Sequence, residues 1–177
     1  LVTYYIKDTT RPTLVFNEPS APNLAFGATL PVSITASDAG SGVAVVVVHF
    51  YNASGTLLGS CGSGNSSVGG APTYTYTCSL DTSKLPEGTY NLKAGANDVA
   101  GNNQTVSMPV IIDHTRPTLT FINPAAPSTT VSGSFSPETE ATDAHGIDNM
   151  AINIYNASDT LVKSCGSVKD LGSVATY

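Results

Sequence analysis

A fifteen-residue stretch occurs twice in this chain. Asp8-Thr-Thr-Arg-Pro-Thr-Leu-Val-Phe-Asn-Glu-Pro-Ser-Ala-Pro22 returns as Asp113-His-Thr-Arg-Pro-Thr-Leu-Thr-Phe-Ile-Asn-Pro-Ala-Ala-Pro127, identical at ten positions with an offset of 105. Three further blocks return in the same order. Ala36-Ser-Asp-Ala39 reappears as Ala141-Thr-Asp-Ala144 at 105; Tyr51-Asn-Ala-Ser54 as Tyr155-Asn-Ala-Ser158 and Ser60-Cys-Gly-Ser63 as Ser164-Cys-Gly-Ser167 at 104. One residue is therefore deleted between Asp143 and Tyr155. A period this long belongs to a whole domain, not to a solenoid turn. Residues 8–112 read as one complete domain and 113–177 as the N-terminal part of a second, truncated one. Residues 1–7 align with Val106–Ile112 and read as the last strand of a preceding copy. The chain starts in mid-strand, with neither Met nor a signal peptide, and is expected to be a piece of a longer protein.

Composition narrows the function classes. Charged residues are 11% of the 177, against about 25% in ordinary domains. Seven basic and thirteen acidic side chains leave a net charge of −6, which argues against nucleic acid, whose binding needs clustered Lys and Arg. Apolar residues at 41% suffice for a core, and no apolar run is long enough to span a bilayer. Ser and Thr number 20 and 22, while the straight-chain helix formers are scarce beside Val, Thr, Ile and Tyr.

Strand-like runs fill the complete domain. They are Thr13–Phe16, Leu30–Ala36, Val43–Tyr51, Thr56–Ser60, Thr73–Leu80, Thr89–Ala96 and Gln104–Ile112, each bounded by Gly, Asn, Asp, Ser or Pro. No helical period appears. About seven strands in about 100 residues is the immunoglobulin-like β-sandwich pattern, so the expected fold is all-β, in tandem domains.

Two segments carry a resemblance. Leu85-Pro-Glu-Gly-Thr-Tyr-Asn-Leu92, followed by Ala96-Asn-Asp-Val-Ala-Gly-Asn102, resembles the end of bacterial and archaeal Ig-like surface domains. Asp8-Thr-Thr-Arg-Pro-Thr13 is similar to the joints that open such domains. Tyr90, just after the Pro86–Gly88 corner, stands where a tyrosine corner would put its hydroxyl, and Asp98–Asn102 reads as a hairpin turn.

Single residues then carry the chemistry. Cys61 and Cys78 are 17 apart, and Cys165 repeats Cys61, its own partner falling near position 182. The expectation is a Cys61–Cys78 disulfide in an oxidising, extracytoplasmic setting, with Ser- and Gly-rich flanks suggesting accessible strand ends; the alternative is two buried thiols. Asn-x-Ser/Thr sequons occur at Asn52, Asn65, Asn103 and Asn156, and Asn52 and Asn156 hold the same slot in both domains. They read as N-glycan acceptors, or else as plain Asx turns. In an Ig-like sandwich Asp8, Asp38 and Asp98 fall at one end, with Asp113 and Asp143 as the matching pair. Calcium suits such oxygen ligands, and tandem Ig-like adhesins are similar in stiffening their joints this way. The alternative is that Asp38 and Asp98 cap their own turns and that Arg11 and Arg116 pair with Asp groups. No other cofactor is expected.

No catalytic constellation stands out. His49 sits in a strand, His114 replaces Thr9, and His145 lies in a loop where the first copy has Gly40 or Ser41. The expectation is a non-catalytic structural module of an extracellular, cell-surface repeat protein that builds or spaces a filament or layer. Its partners would be copies of itself, neighbouring domains and N-linked glycans. The competing readings are an adhesin stalk or ligand-binding module, and an accessory segment of a secreted hydrolase.

Overall fold

The structure is a computed structural model, and it describes residues 7–61, 66–127, 129–168 and 174–176. The expected strand over residues 1–7 and the sequon at Asn65 therefore lie outside the described residues, apart from Lys7. The described residues form strands and no helix, so no helix is long and apolar enough to cross a membrane. The chain divides into two compact units between His114 and Thr115.

The first unit is a two-sheet sandwich. β1 (Thr13–Glu18), β2 (Ala25–Phe26), β3 (Thr29–Ser37), β4 (Val43–Asn52), β5 (Leu57–Ser60), β6 (Ser66–Ala71), β7 (Thr73–Asp81), β8 (Gly88–Asp98) and β9 (Asn103–Ile112) follow one another. One sheet has the order β1-β3-β7; the other runs β2-β9-β8-β4-β5, with β6 also paired to β4. All seven expected strands are present. Two more were not anticipated: β2, which pairs parallel to the end of β9, and β6. After β1 the chain passes a cis Glu18–Pro19 bond, and β2 joins the opposite sheet.

Strand alternation builds the core. Leu30, Val32, Ile34 and Ala36 of β3 face Tyr90, Leu92, Ala94 and Ala96 of β8 within one buried cluster. β4 is apolar throughout, so period alone leaves its phase open. A register shift between Val43 and Val45 sets it, and Val43, Val46, Val48 and Phe50 are the buried members. Tyr90 stacks on Phe50 with ring centroids 5.1 Å apart, and its hydroxyl donates to the Pro86 carbonyl at 2.7 Å. The tyrosine corner is thus formed.

A disulfide joins the sheets. Cys61 follows β5, Cys78 lies in β7, and their Cα atoms are 5.8 Å apart, inside the usual span of a disulfide. The expectation of accessible strand ends is corrected. Cys61 is fully buried, because its N–H extends the ladder to the Val48 carbonyl and its own carbonyl accepts the Tyr76 hydroxyl.

The second unit holds β10 (Thr118–Asn123), β11 (Glu138–Ile147), β12 (Met150–Tyr155), β13 (Leu161–Val168) and β14 (Val174–Thr176). Sheet β10-β11-β14 and hairpin β12-β13 flank a groove of about 700 Å³ bordered by Phe135, Ile152 and Ile154. β10 pairs with β11 in the register of β1 with β3: Leu119 faces Ala141 as Leu14 faces Ala36, and each pair shifts register just before a cis X–Pro bond. Burial differs. Phe50 is 3% exposed, while Ile154 at the equivalent position is 41% exposed. Cys165 is a free, exposed thiol.

Candidate metal centre

Three loops of the first unit converge on one acidic cluster. Asp8 precedes β1, Asp38 follows β3 and Asp98 ends β8. Each offers a carboxylate oxygen, and the three oxygens lie within 4.8 Å of one another. Asp38 and Asp98 are 4% and 3% exposed, so their carboxylates are removed from bulk water, and like charges repel more strongly in such a site than in solvent.

Backbone amides hold the cluster together. Asp8 Oδ1 accepts from Thr10 N–H at 2.9 Å and Oδ2 from Ser41 N–H at 2.7 Å. Asp38 Oδ1 accepts from Gly40 and Gly42 N–H at 3.1 and 2.8 Å. Asp98 takes Asn102 N–H on Oδ1 and Asn102 Nδ2 on Oδ2, both at 2.7 Å. Asn102 Nδ2 also reaches the Asp8 carbonyl at 3.3 Å, and Ala100 N–H donates to Ser41 Oγ at 3.1 Å. The three segments are thereby cross-linked. Asp38 and Asp98 do cap their own turns, but the partners of these carboxylates among the described residues are N–H groups rather than Arg11.

One oxygen has no partner. Asp38 Oδ2 is buried and makes no hydrogen bond, a condition that costs free energy unless a ligand or water supplies the missing interaction. A hard cation among three carboxylates would supply it, since calcium takes six to eight oxygen ligands. The donor set therefore fits calcium in type, with the remaining ligands left to water and backbone carbonyls.

The amides that hold Asp8 lower its pKa. The Thr10 N–H contributes most, then the Ser41 hydroxyl and N–H, and together they outweigh desolvation. Gly40 makes this approach possible, because a Cβ there would collide with the Asp8 carboxylate. Sequence reasoning missed Gly40, Ser41 and Asn102. The available signals were the Gly40-Ser-Gly42 cluster and the Ala-Gly-Asn turn after Asp98.

The other expected residues lie outside this cluster. Asp113 donates its N–H to the Phe26 carbonyl at 3.0 Å. Asp143 Oδ1 accepts from His145 N–H at 2.8 Å. His114 donates its N–H to Glu87 Oε1 at 3.0 Å, and its Nε2 lies 3.2 Å from the Leu85 carbonyl. His49 Nδ1 lies 2.8 Å from Ser60 Oγ on the outer face of the larger sheet. Asn52 and Asn156 sit in equivalent turns, where Asn52 Oδ1 accepts from Thr56 N–H at 2.8 Å and Asn156 Oδ1 from Thr160 N–H at 2.9 Å. The fourth turn residue has positive φ in both, 82° at Gly55 and 60° at Asp159. Asn103 is exposed at the start of β9.

The strand order, the inter-sheet disulfide and the tyrosine corner define an Ig-like β-sandwich. Residues 12–94 match the family model of the bacterial Ig domain, which supports a bacterial Ig-like domain in this part of the chain. No curated protein matches the chain.

Proposed function

We infer that this chain is a non-catalytic structural segment of an extracellular repeat protein, made of Ig-like domains in tandem that build or space a cell-surface filament or layer. The observation that carries this reading is the seating of Asp8. The segment ahead of β1 is bonded to the β3–β4 loop at Ser41 and to the β8–β9 hairpin at Asn102. A linker fastened to the domain that follows it transmits orientation along a rod, whereas a flexible linker would not. The 105-residue repeat and the shared register of β1–β3 and β10–β11 support the tandem arrangement. The Cys61–Cys78 bond fits an oxidising compartment.

In this reading calcium binds at Asp8, Asp38 and Asp98 and locks the linker further. Glycans attach at Nδ2 of Asn52 and Asn156, which leaves the Oδ1 bonds of both turns intact, and Asn103 is a further acceptor. Negative-stain electron microscopy of the native material tests the architecture: regular fibres or a lattice support it, and isolated stalks ending in a separate binding domain favour an adhesin. Calorimetric titration of the chain with calcium tests the metal, with saturable binding expected in the protein as it stands and none in Asp38→Asn.

A further inference from the structure

Lys93 is the one Lys or Arg on β1–β9. It stands opposite His49 of β4 and Ser107 of β9, and His49 stands opposite Ser60 of β5. The row Ser60–His49–Lys93–Ser107 thus crosses four strands on the outer face of the larger sheet. Its groups are held in place. The Lys93 ammonium lies 4.7 Å from the centre of the Tyr51 ring, His49 meets that ring edge-on at 6.4 Å, and Ser60 Oγ lies 2.8 Å from His49 Nδ1. Leu57, opposite Tyr51 across β4 and β5, is 51% exposed. The face thus offers a single positive charge, held against a tyrosine, on a strand surface otherwise without charge, and tyrosine is a residue type enriched at protein contacts.

The second unit carries the complement. Where β3 has Ser33 and Thr35, β11 has the exposed residues Glu138 and Glu140. The flanking strands β10 and β14 contain no Lys or Arg. Two carboxylates two residues apart on one strand face repel each other, and a cation brought by another molecule relieves that repulsion.

The geometry points to a contact between copies of this chain, in which the Lys93–His49–Tyr51 face of one copy's first unit docks on the Glu138–Glu140 face of another copy's second unit. It rests on the filament reading above and adds how neighbouring chains pair. Because the two faces differ, the contact is heterologous, and such contacts propagate into open staggered arrays unless a rotation closes them. Exposed ion pairs set register more than affinity, so one contact is weak and a chain of repeats multiplies it.

Sedimentation of the full chain across a concentration series at low salt tests the contact. Reversible association that weakens with added salt is expected. Lys93→Glu should lower the association constant about tenfold or more, and so should Glu138→Lys with Glu140→Lys; combining all three should restore it. A milder Lys93→Gln should give part of the loss, and unchanged thermal melts show that the variants fold. A chain still monomeric at about 1 mM overturns the proposal, as does association that Lys93→Glu leaves unchanged. Association that EDTA abolishes and Lys93→Glu does not is calcium bridging, and also overturns it. If native material forms no filaments while Lys93→Glu still lowers association, the filament reading falls and the contact stands.

Discussion

The Asp8 carboxylate accepts a hydrogen bond at 2.7 Å from the backbone N–H of Ser41, 33 residues further along the chain. That bond ties the segment ahead of the first strand to the loop between β3 and β4. Ser41 Oγ in turn accepts from Ala100 N–H in the β8–β9 hairpin, so one short loop clamps both the linker and the last hairpin.

The clamp depends on pH in a definite direction. The Asp8 pKa lies below the ordinary aspartate value of 3.8, with Thr10 N–H as the largest cause. A lowered folded-state pKa means that the bonded carboxylate contributes stability above the unfolded value and loses it as pH falls through the folded one. A carboxyl-carbon NMR titration should give Asp8 a midpoint under 3.8; a midpoint at or above it refutes the geometry. Asp81 behaves the same way through the Ser83 hydroxyl and N–H.

The glycines of this loop are not equivalent. Gly42 has φ of 84°, and a Cβ there would run into the Gly70 backbone. Gly42→Ala should cost about 3 kcal/mol in urea unfolding, and a loss under about 1 kcal/mol would contradict the close approach of these backbones. At Gly40 the obstacle is the Asp8 carboxylate, a side-chain end that can rotate away rather than backbone. Gly40→Ala should therefore push Asp8 aside and move its NMR midpoint back toward 3.8, at small cost to stability.

The disulfide predicts a thiol count. With Cys61 and Cys78 bonded, the denatured, unreduced chain should show one reactive thiol, Cys165. Three would refute the bond. Replacing both bonded cysteines by Ala should cost about 3 kcal/mol for a loop of this length.

Tyr90→Phe removes the hydroxyl that satisfies the Pro86 carbonyl while keeping the stack on Phe50. A loss of about 1–2 kcal/mol is expected. An unchanged unfolding midpoint would mean that the corner bond adds nothing.

Segment 113–177 alone should not melt cooperatively as a monomer. Leu119 and Phe121 are 66% and 62% exposed, and a sandwich needs inner faces from both sheets to cover one core. Circular dichroism of this segment beside that of 8–112 tests the boundary, and a sharp monomeric transition in the shorter piece would move it.

Much of the sandwich was legible because its signal is local. Leu30, Val32, Ile34 and Ala36 alternate with polar residues, as do Tyr90, Leu92, Ala94 and Ala96, and a period of two is the direct mark of a half-buried strand. Pro86, Gly88 and Tyr90 marked their corner through turn chemistry that acts over a few residues. The repeat required only comparison of the chain with itself.

The sequence by itself determined the strand-rich class, the repeat and the residues able to line a core, because side-chain period and backbone preference act between near neighbours. Tertiary structure decided the rest. Ala25–Phe26 is too short to show a period and becomes a strand only because the end of β9 offers it a partner. The register shift after Val43 selects which valines of β4 are buried, a choice no uniform apolar run contains. Cys61 is buried because packing against Val48 and Tyr76 encloses it, although its neighbours in the chain are small and polar. Asp8, Asp38 and Asp98 meet, with Asp38 Oδ2 left unpaired, only after three loops far apart in the chain close on one another. Contacts of that kind depend on the chain's path through space, which local sequence does not encode.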